Sequence, residues 1–290
     1  MTIRLENISK RFGQTTALDG INISFGQQKI YGLLGNNGAG KSTMLNIITS
    51  RLIADSGTIT LDGIPIRDND KALNQIYMQG EKNYFPESMK VKEALKWGKI
   101  FYPNFDMIFA QKLAEQFNLP LSKKITALST GYQSIFKIVM AFSTNAPFLL
   151  LDEPVLGLDA GHRDMFYKLL LERYSENPCT IVISTHLIAE VANLIEHCVI
   201  IKNGRILKDA PCEELVHGGY SVSGPAKLLH DYIRGKDVLS VNDLGGLSTA
   251  CLGGEMPNSQ SLPTGLEAGR LGLQDYFIQL VKTHSQIKED

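Results

Sequence analysis

No run of apolar residues in this chain approaches the roughly 20 that a membrane-spanning helix needs. The opening Met1-Thr2-Ile3-Arg4-Leu5-Glu6 lacks the basic-then-apolar pattern of a secretory leader. Cysteine is scarce: Cys179, Cys198, Cys212 and Cys251 are dispersed, with no C-x-x-C pair. Such spacing favours four ordinary thiols in a reducing cytoplasm over a disulfide framework or a zinc site. An excess of charge is missing as well. The formal net charge is −1, so no broad basic field exists for nucleic acid, and no nucleic-acid partner is expected. These absences predict a soluble chain whose membrane role, if any, runs through a partner chain. Its 290 residues suffice for one large core plus a smaller appendage.

What is present is a phosphate-binding loop. Gly35-Asn36-Asn37-Gly38-Ala39-Gly40-Lys41-Ser42-Thr43 matches G-x-x-x-x-G-K-[ST] at every fixed position. Chance would produce those four positions in roughly 1% of chains this long. The apolar run Lys29–Leu34 before it reads as a buried strand. Lys41 to Leu52 after it reads as a helix, with Met44, Leu45, Ile47, Ile48 and Leu52 at helical spacing. Strand, loop and helix together form an anion nest of backbone N–H groups. In it Lys41 reaches the β- and γ-phosphates and Ser42 ligates Mg²⁺.

Around this loop the pattern is α/β. Residues 3–8 and 18–25 alternate as strands, and 57–63 is a short strand closed by Asp62-Gly63. From Val91 to Lys124 the pattern is helical, broken at Tyr102-Pro103-Asn104-Phe105-Asp106, where Pro103 biases Tyr102 away from helix. Residues 148–151 and 180–184 are continuous apolar runs, as in a parallel sheet buried on both faces. Gly161 to Tyr174 is the crossover helix between them, and Val199 to Leu207 a hairpin around Asn203-Gly204. Past Pro211 the chain is rich in Gly, Ser and Leu. Residues 220–223, 225–234 and 238–241 suggest a small α+β appendage with a loop at 253–259, closed by a helix over Leu273 to Val281.

Phe148-Leu149-Leu150-Leu151-Asp152-Glu153 is a buried strand ending in two acids. Alone the pattern is common. Joined to the phosphate loop, it places Asp152 to hold Mg²⁺ and Glu153 to polarise a water in line with the γ-phosphate.

A third element decides the family. Leu128-Ser129-Thr130-Gly131-Tyr132-Gln133 opens an apolar helix. Leu156-Gly157-Leu158-Asp159 follows the acids, and Ser184-Thr185-His186 follows the next strand. With these the chain resembles the ATP-binding subunit of an ABC transporter over roughly residues 1–210.

The resemblance implies a P-loop NTPase of the ABC ATPase type. Its parts are a RecA-like parallel sheet, an antiparallel β subdomain and a helical subdomain at about 85–145, with 211–290 as an accessory domain. It implies ATP and Mg²⁺ as cofactors, a second ATP-binding subunit, and a separate membrane-spanning subunit holding the chain at the cytoplasmic face. Ser129 and Gly131 then belong to the signature loop, Asp159 to the dimer seam, and His186 is the switch histidine. Phe12 stacks on adenine, or else is a core aromatic.

Two departures stand out. The usual Leu-Ser-Gly-Gly-Gln has Thr130 for its first glycine and Tyr132 for its glutamine. Gln79 is the nearest glutamine to the Mg²⁺-sensing loop, although counting back from Pro86 places that position on Gly80. The remaining histidines and Trp97 read as structural, with Trp97 a packing residue. The 102–106 break, the drifted signature and the appendage resemble a branch of bacterial exporters of the YtrB and phenol-soluble-modulin types. That implies export of amphipathic or antimicrobial peptides or antibiotics. The alternative is a soluble ABC ATPase of translation, repair or cofactor assembly, although the paired ATPase units, coiled coils and zinc motifs of such proteins are missing.

Overall fold

A computed structural model describes residues 1–26, 28–257 and 262–278, apart from the side chain of residue 217. In chain order the elements begin β1 (Ile3–Phe12), β2 (Thr15–Phe25), β3 (Ile30–Leu34), α1 (Lys41–Ile48), β4 (Ser56–Leu61), β5 (Ile64–Pro65), α2 (Asp70–Leu73) and β6 (Ile76–Gln79). The helical block α3 (Val91–Phe101), α4 (Met107–Gln116) and α5 (Thr130–Ser143) follows. Then come β7 (Phe148–Asp152), α6 (Ala160–Glu176), β8 (Thr180–Thr185), α7 (Ile188–Val191), β9 (His197–Lys202) and β10 (Arg205–Pro211). The last are α8 (Cys212–His217), β11 (Gly219–Pro225), α9 (Ala226–Tyr232), β12 (Val238–Leu244), β13 (Leu247–Gly253) and β14 (Glu267–Arg270).

These group into two compact units, Met1–His186 with Val199–Asp209, and Leu187–Cys198 with Ala210–Asp290. The first unit is organised by a six-stranded sheet in the order β10-β9-β3-β8-β7-β6. Strands β3, β8, β7 and β6 run parallel, every residue of each is buried, and their C-terminal ends lie side by side. That explains the apolar runs: a strand covered on both faces has no polar side to display. An antiparallel sheet β2-β1-β4-β5 stands beside it. The inward residues Ile3, Leu5, Ile8, Ile21 and Ile23 share one core with Met44, Leu45 and Ile48 of α1.

The break between α3 and α4 falls where Pro103 predicts it. Tyr102 caps α3 in an extended conformation (φ −112, ψ 108), and the Asp106 carboxylate caps α4 by accepting from the Phe109 N–H at 2.8 Å. Helix α1 is shorter than its apolar spacing suggests. It ends at Ile48 because Ser50 turns left-handed (φ 54) and the Thr49 hydroxyl folds back onto the Leu45 carbonyl at 3.1 Å.

The second unit contains a four-stranded antiparallel sheet, β12-β13-β11-β14, with α9 packed on β11 and β13. Its core is Tyr220, Val222, Leu229, Ile233, Ala250, Leu252 and Leu266. Residues 273–278 are helical; the rest of the helix expected to Val281, and His284, lie outside the described residues. The loop expected at 253–259 is described only to Pro257.

All four cysteines are free thiols, as their spacing predicts. Cys198 and Cys212 are not dispersed in space: their sulfurs stand 2.7 Å apart. The β9–β10 hairpin doubles the chain back, and the Cys212 N–H donates to the Glu196 carbonyl at 2.9 Å, which seats the two thiols together. Burial and that contact push the Cys198 thiol far above its ordinary value, the contact first.

Candidate functional site

The phosphate loop joins the end of β3 to the start of α1, and backbone crowding fixes its shape. A β-carbon on Gly35 would lie 2.5 Å from the Ile201 carbonyl oxygen, and one on Gly40 only 2.6 Å from that of Ala17. Gly40 also has φ +112, closed to other residues, and is the N-cap of α1. The Gly204 N–H of the β9–β10 turn supports the loop by donating to the Ala39 carbonyl at 2.9 Å. Asn36, Asn37 and Gly38 form its exposed tip.

Lys41 is buried and folds back over the loop. Its Nζ donates to the carbonyls of Gly35 at 2.6 Å and Asn36 at 3.3 Å, and lies 3.7 Å from Glu153 Oε1. Burial pulls its ammonium below the ordinary lysine range, while the charges of Glu153 and Asp152 oppose the shift.

Opposite the loop, the ends of β6, β7 and β8 supply the other groups. Asp152 closes β7, buried, and accepts from the Ser184 hydroxyl at 2.7 Å. Glu153 follows with a left-handed backbone (φ 47), fixed by its N–H donating to the Ser184 carbonyl at 2.8 Å. Its two carboxylate oxygens are separately held, Oε1 by His186 Nδ1 at 3.0 Å and Oε2 by the Thr185 hydroxyl at 3.3 Å. Lys41, Ser42, Thr43, Gln79, Asp152, Glu153 and His186 therefore line one cleft of 590 Å³.

Gln79 ends β6 almost fully buried, with Nε2 3.5 Å from the Pro154 carbonyl and Oε1 without a partner. An unpaired buried amide oxygen, a hydroxyl and a carboxylate lining one cleft are the donor types a hard cation takes. Ser42, Asp152 and Gln79 thus fit Mg²⁺. Gly80, the other position that counting allowed, offers only its backbone.

Phe12 is no core residue: it is half exposed, with Lys10 Nζ 5.7 Å from its ring centroid. It pairs with Thr15, the edge of the cleft, but does not line the cleft itself.

Ser129 caps α5, accepting from the Tyr132 N–H at 3.4 Å. Thr130 packs on the turn after Glu153. A β-carbon on Gly157 (φ +79) would lie 2.9 Å from Thr130 Cγ2, and one on Gly131 3.0 Å from the Gly157 carbonyl oxygen. Asp159 is not in the cleft. It caps α6, accepting from the His162 N–H at 2.9 Å and facing the His162 ring at 2.8 Å, contacts that hold its carboxyl below the usual range. His162 is therefore a local partner of Asp159 and stacks on Phe117.

Trp97 departs from its expected packing role. It is 43% exposed and stacks on Phe101, and both rings line a 180 Å³ groove with Arg51, Tyr84 and Tyr102. The motifs did not single out Ser184, Thr185 or Lys137 as site residues. Ser184 and Thr185 did stand in the Ser184-Thr185-His186 segment, and Lys137 is a lone cation inside the apolar run Ile135–Phe142.

A model of the ABC transporter family matches residues 18–156. The chain is 30% identical over 213 residues to the ABC transporter ATP-binding protein YtrB of Bacillus subtilis, covering 73% of each. It is 30% identical over 254 residues to a probable branched-chain amino acid transport ATP-binding protein, LivG, of Methanocaldococcus jannaschii, covering 80% of this chain and 96% of that one. Among solved structures, a dimeric bacterial ABC transporter cassette superposes with a TM-score of 0.64 at 25% identity, over 72% of this chain and 98% of that one. An ATP-binding cassette in its ADP conformation gives 0.60 at 29%, over 74% and 92%. Sequence similarity at this coverage, and a fold shared with such cassettes, place the chain among the ABC transporter ATP-binding proteins, as an ATP-binding ATPase subunit.

Proposed function

We propose that the chain powers transport by pairing with a second ATP-binding subunit at the cytoplasmic face of a separate membrane-spanning protein. The convergence of Lys41, Glu153 and His186 on one cleft carries this reading. Lys41 leaves its two loop carbonyls for the β- and γ-phosphates, which the loop's N–H groups also hold. Ser42, Asp152 and Gln79 would hold Mg²⁺, which would supply positive charge against the phosphates. Glu153 accepts a proton from the attacking water, its carboxylate aimed by Thr185 and His186. His186, freed to reach the γ-phosphate, steadies the developing charge there.

Each chain supplies half of two sites: its loop holds one ATP, and its Ser129–Gly131 segment closes over the partner's. Phe12 stacks on the adenine and Asp159 lies at the seam. Closing on ATP and opening after hydrolysis is a ligand-shifted equilibrium, which supplies the stroke. The aromatic groove of Tyr84, Trp97 and Phe101 receives the membrane subunit, and residues 211–290 act as an accessory domain. We assign the direction as export of amphipathic or antimicrobial peptides or antibiotics. The drifted signature and the 102–106 break support that choice; relatives named for import of ribose and of arabinose also match this chain.

Glu153→Gln tests the core of the proposal. ATP should bind as before, turnover should stop, and an ATP-dependent dimer should accumulate in size-exclusion chromatography. Undiminished hydrolysis would remove Glu153 from the role given to it. Pull-down from membranes should recover a multi-spanning subunit, and cargo should stimulate the ATPase activity of the reconstituted pair.

A further inference from the structure

Helix α5 does more than begin at the signature segment. Ser134 and Lys137 lie one turn apart on one face of it, and each grips a loop leaving the parallel sheet. The Ser134 hydroxyl donates to the Leu156 carbonyl at 2.7 Å, in the turn after Glu153. Lys137 Nζ donates to the carbonyls of Gly80 at 2.9 Å and Glu81 at 2.5 Å, directly after Gln79. These loops leave neighbouring strands, since Gln79 pairs with Leu151. Lys137 also lines both cavities described above, the 590 Å³ nucleotide cleft and the 180 Å³ aromatic groove.

A half-buried ammonium here carries a desolvation cost. Desolvation lowers the Lys137 pKa, and the Glu81 charge only partly offsets it. A methionine would fill the same space without that penalty. What methionine cannot do is hold two adjacent carbonyls in a fixed fork. The turn so held carries Gln79, whose buried Oε1 lacks a partner. An event that gives that oxygen a partner pulls on residue 79, and through 80 and 81 on Lys137 and α5.

We infer that Lys137 is a positioning residue that ties the Gln79 turn of one nucleotide site to the signature helix, making the two sites of a dimer respond together. The inference rests on the proposed dimer, in which Gln79 serves the chain's own ATP while Ser129 and Gly131 serve the partner's. The state of the first nucleotide then reaches the second through Lys137. Coupling of this kind is a free energy between sites, and a residue along the link alters it by several-fold to tens of fold.

The test uses the full-length chain with Lys137→Met, Lys137→Gln and Lys137→Arg. A loss of ATP-analogue binding by the single chain of more than about tenfold would mean that Lys137 acts on its own nucleotide rather than between sites, and would overturn the inference. The Hill coefficient for ATP hydrolysis should lie above 1 in wild type and fall to about 1 in Lys137→Met, with kcat reduced about tenfold. Lys137→Gln, which keeps a neutral donor, should show the same loss more mildly and serves if Lys137→Met does not fold. Lys137→Arg should restore cooperativity, which recovery of thermal stability alone would not do. Wild-type cooperativity in a folded Lys137→Met or Lys137→Gln protein overturns the inference, as does a wild-type Hill coefficient of 1. Failure of Glu153→Gln to form an ATP-dependent dimer would instead overturn the dimer, and the inference with it.

Discussion

Helices α1 and α5 both begin at glycine-bearing motifs, yet the two starts are held by different means. At the phosphate loop the backbone packs against other backbone: Gly35 against the Ile201 carbonyl and Gly40 against that of Ala17. No side chain can substitute there, so the loop keeps its motif intact. At α5 the constraint is carried by side chains. Ser129 caps the helix, Thr130 packs on Gly157, and Ser134 and Lys137 reach neighbouring loops. A side-chain constraint can move to another residue. Thr130 stands where the resemblance expects a glycine, and Gly157 leaves the space that Thr130 occupies. Backbone-built sites stay readable as motifs, whereas side-chain-built sites drift.

Breaking the backbone constraint should have the largest effect. Gly40→Ala forces a β-carbon against the Ala17 carbonyl at an unfavourable φ. It should weaken ATP binding more than about 100-fold and lower stability by about 3 kcal/mol, read by analogue titration and thermal melting. Tight binding by this variant would erase the contrast between the two helix starts.

The side-chain constraint should give a smaller, transferable effect. Gly157→Ala should destabilise by about 2 kcal/mol, from its positive φ and the Thr130 methyl. Adding Thr130→Gly should return about 0.5–1 kcal/mol in a double-mutant cycle. Strict additivity would mean that Thr130 and Gly157 are not coupled.

The charge in the phosphate loop should appear in the pH dependence. Desolvation lowers the Lys41 pKa in the empty fold, so between that value and the ordinary 10.5 the unfolded chain binds the extra proton. This group's contribution to stability therefore rises with pH across that window. ATP favours the ammonium, so the thermal shift that ATP induces should shrink as pH climbs through the same window. The smallest change should come from Tyr132→Gln, which restores the usual family residue and should alter kcat by less than about twofold.

The sequence made the first unit's sheet legible because β3, β7 and β8 are buried on both faces and bounded by turn residues. Its phosphate loop and Asp152-Glu153 pair were legible because their spacing is local. The partners that aim those residues were not. Thr185 reaches Glu153 only through the pairing of β7 with β8, and Lys137 reaches Gly80 from 57 residues away. Cys198 and Cys212 meet only once the β9–β10 hairpin closes. In the second unit the strand order β12-β13-β11-β14 places β14 beside β11, a pairing that no local pattern announces.

Glu153 stands with φ 47, in a region where asparagine and glycine rest more easily than glutamate. Selection for heat resistance alone would therefore push this position towards Glu153→Asn or Glu153→Gly, and on the proposed mechanism each step would silence hydrolysis. On that mechanism, the chain gives up some durability at a residue it needs in order to turn over. A stabilised form of this protein is best sought elsewhere in the sequence, with position 153 held fixed.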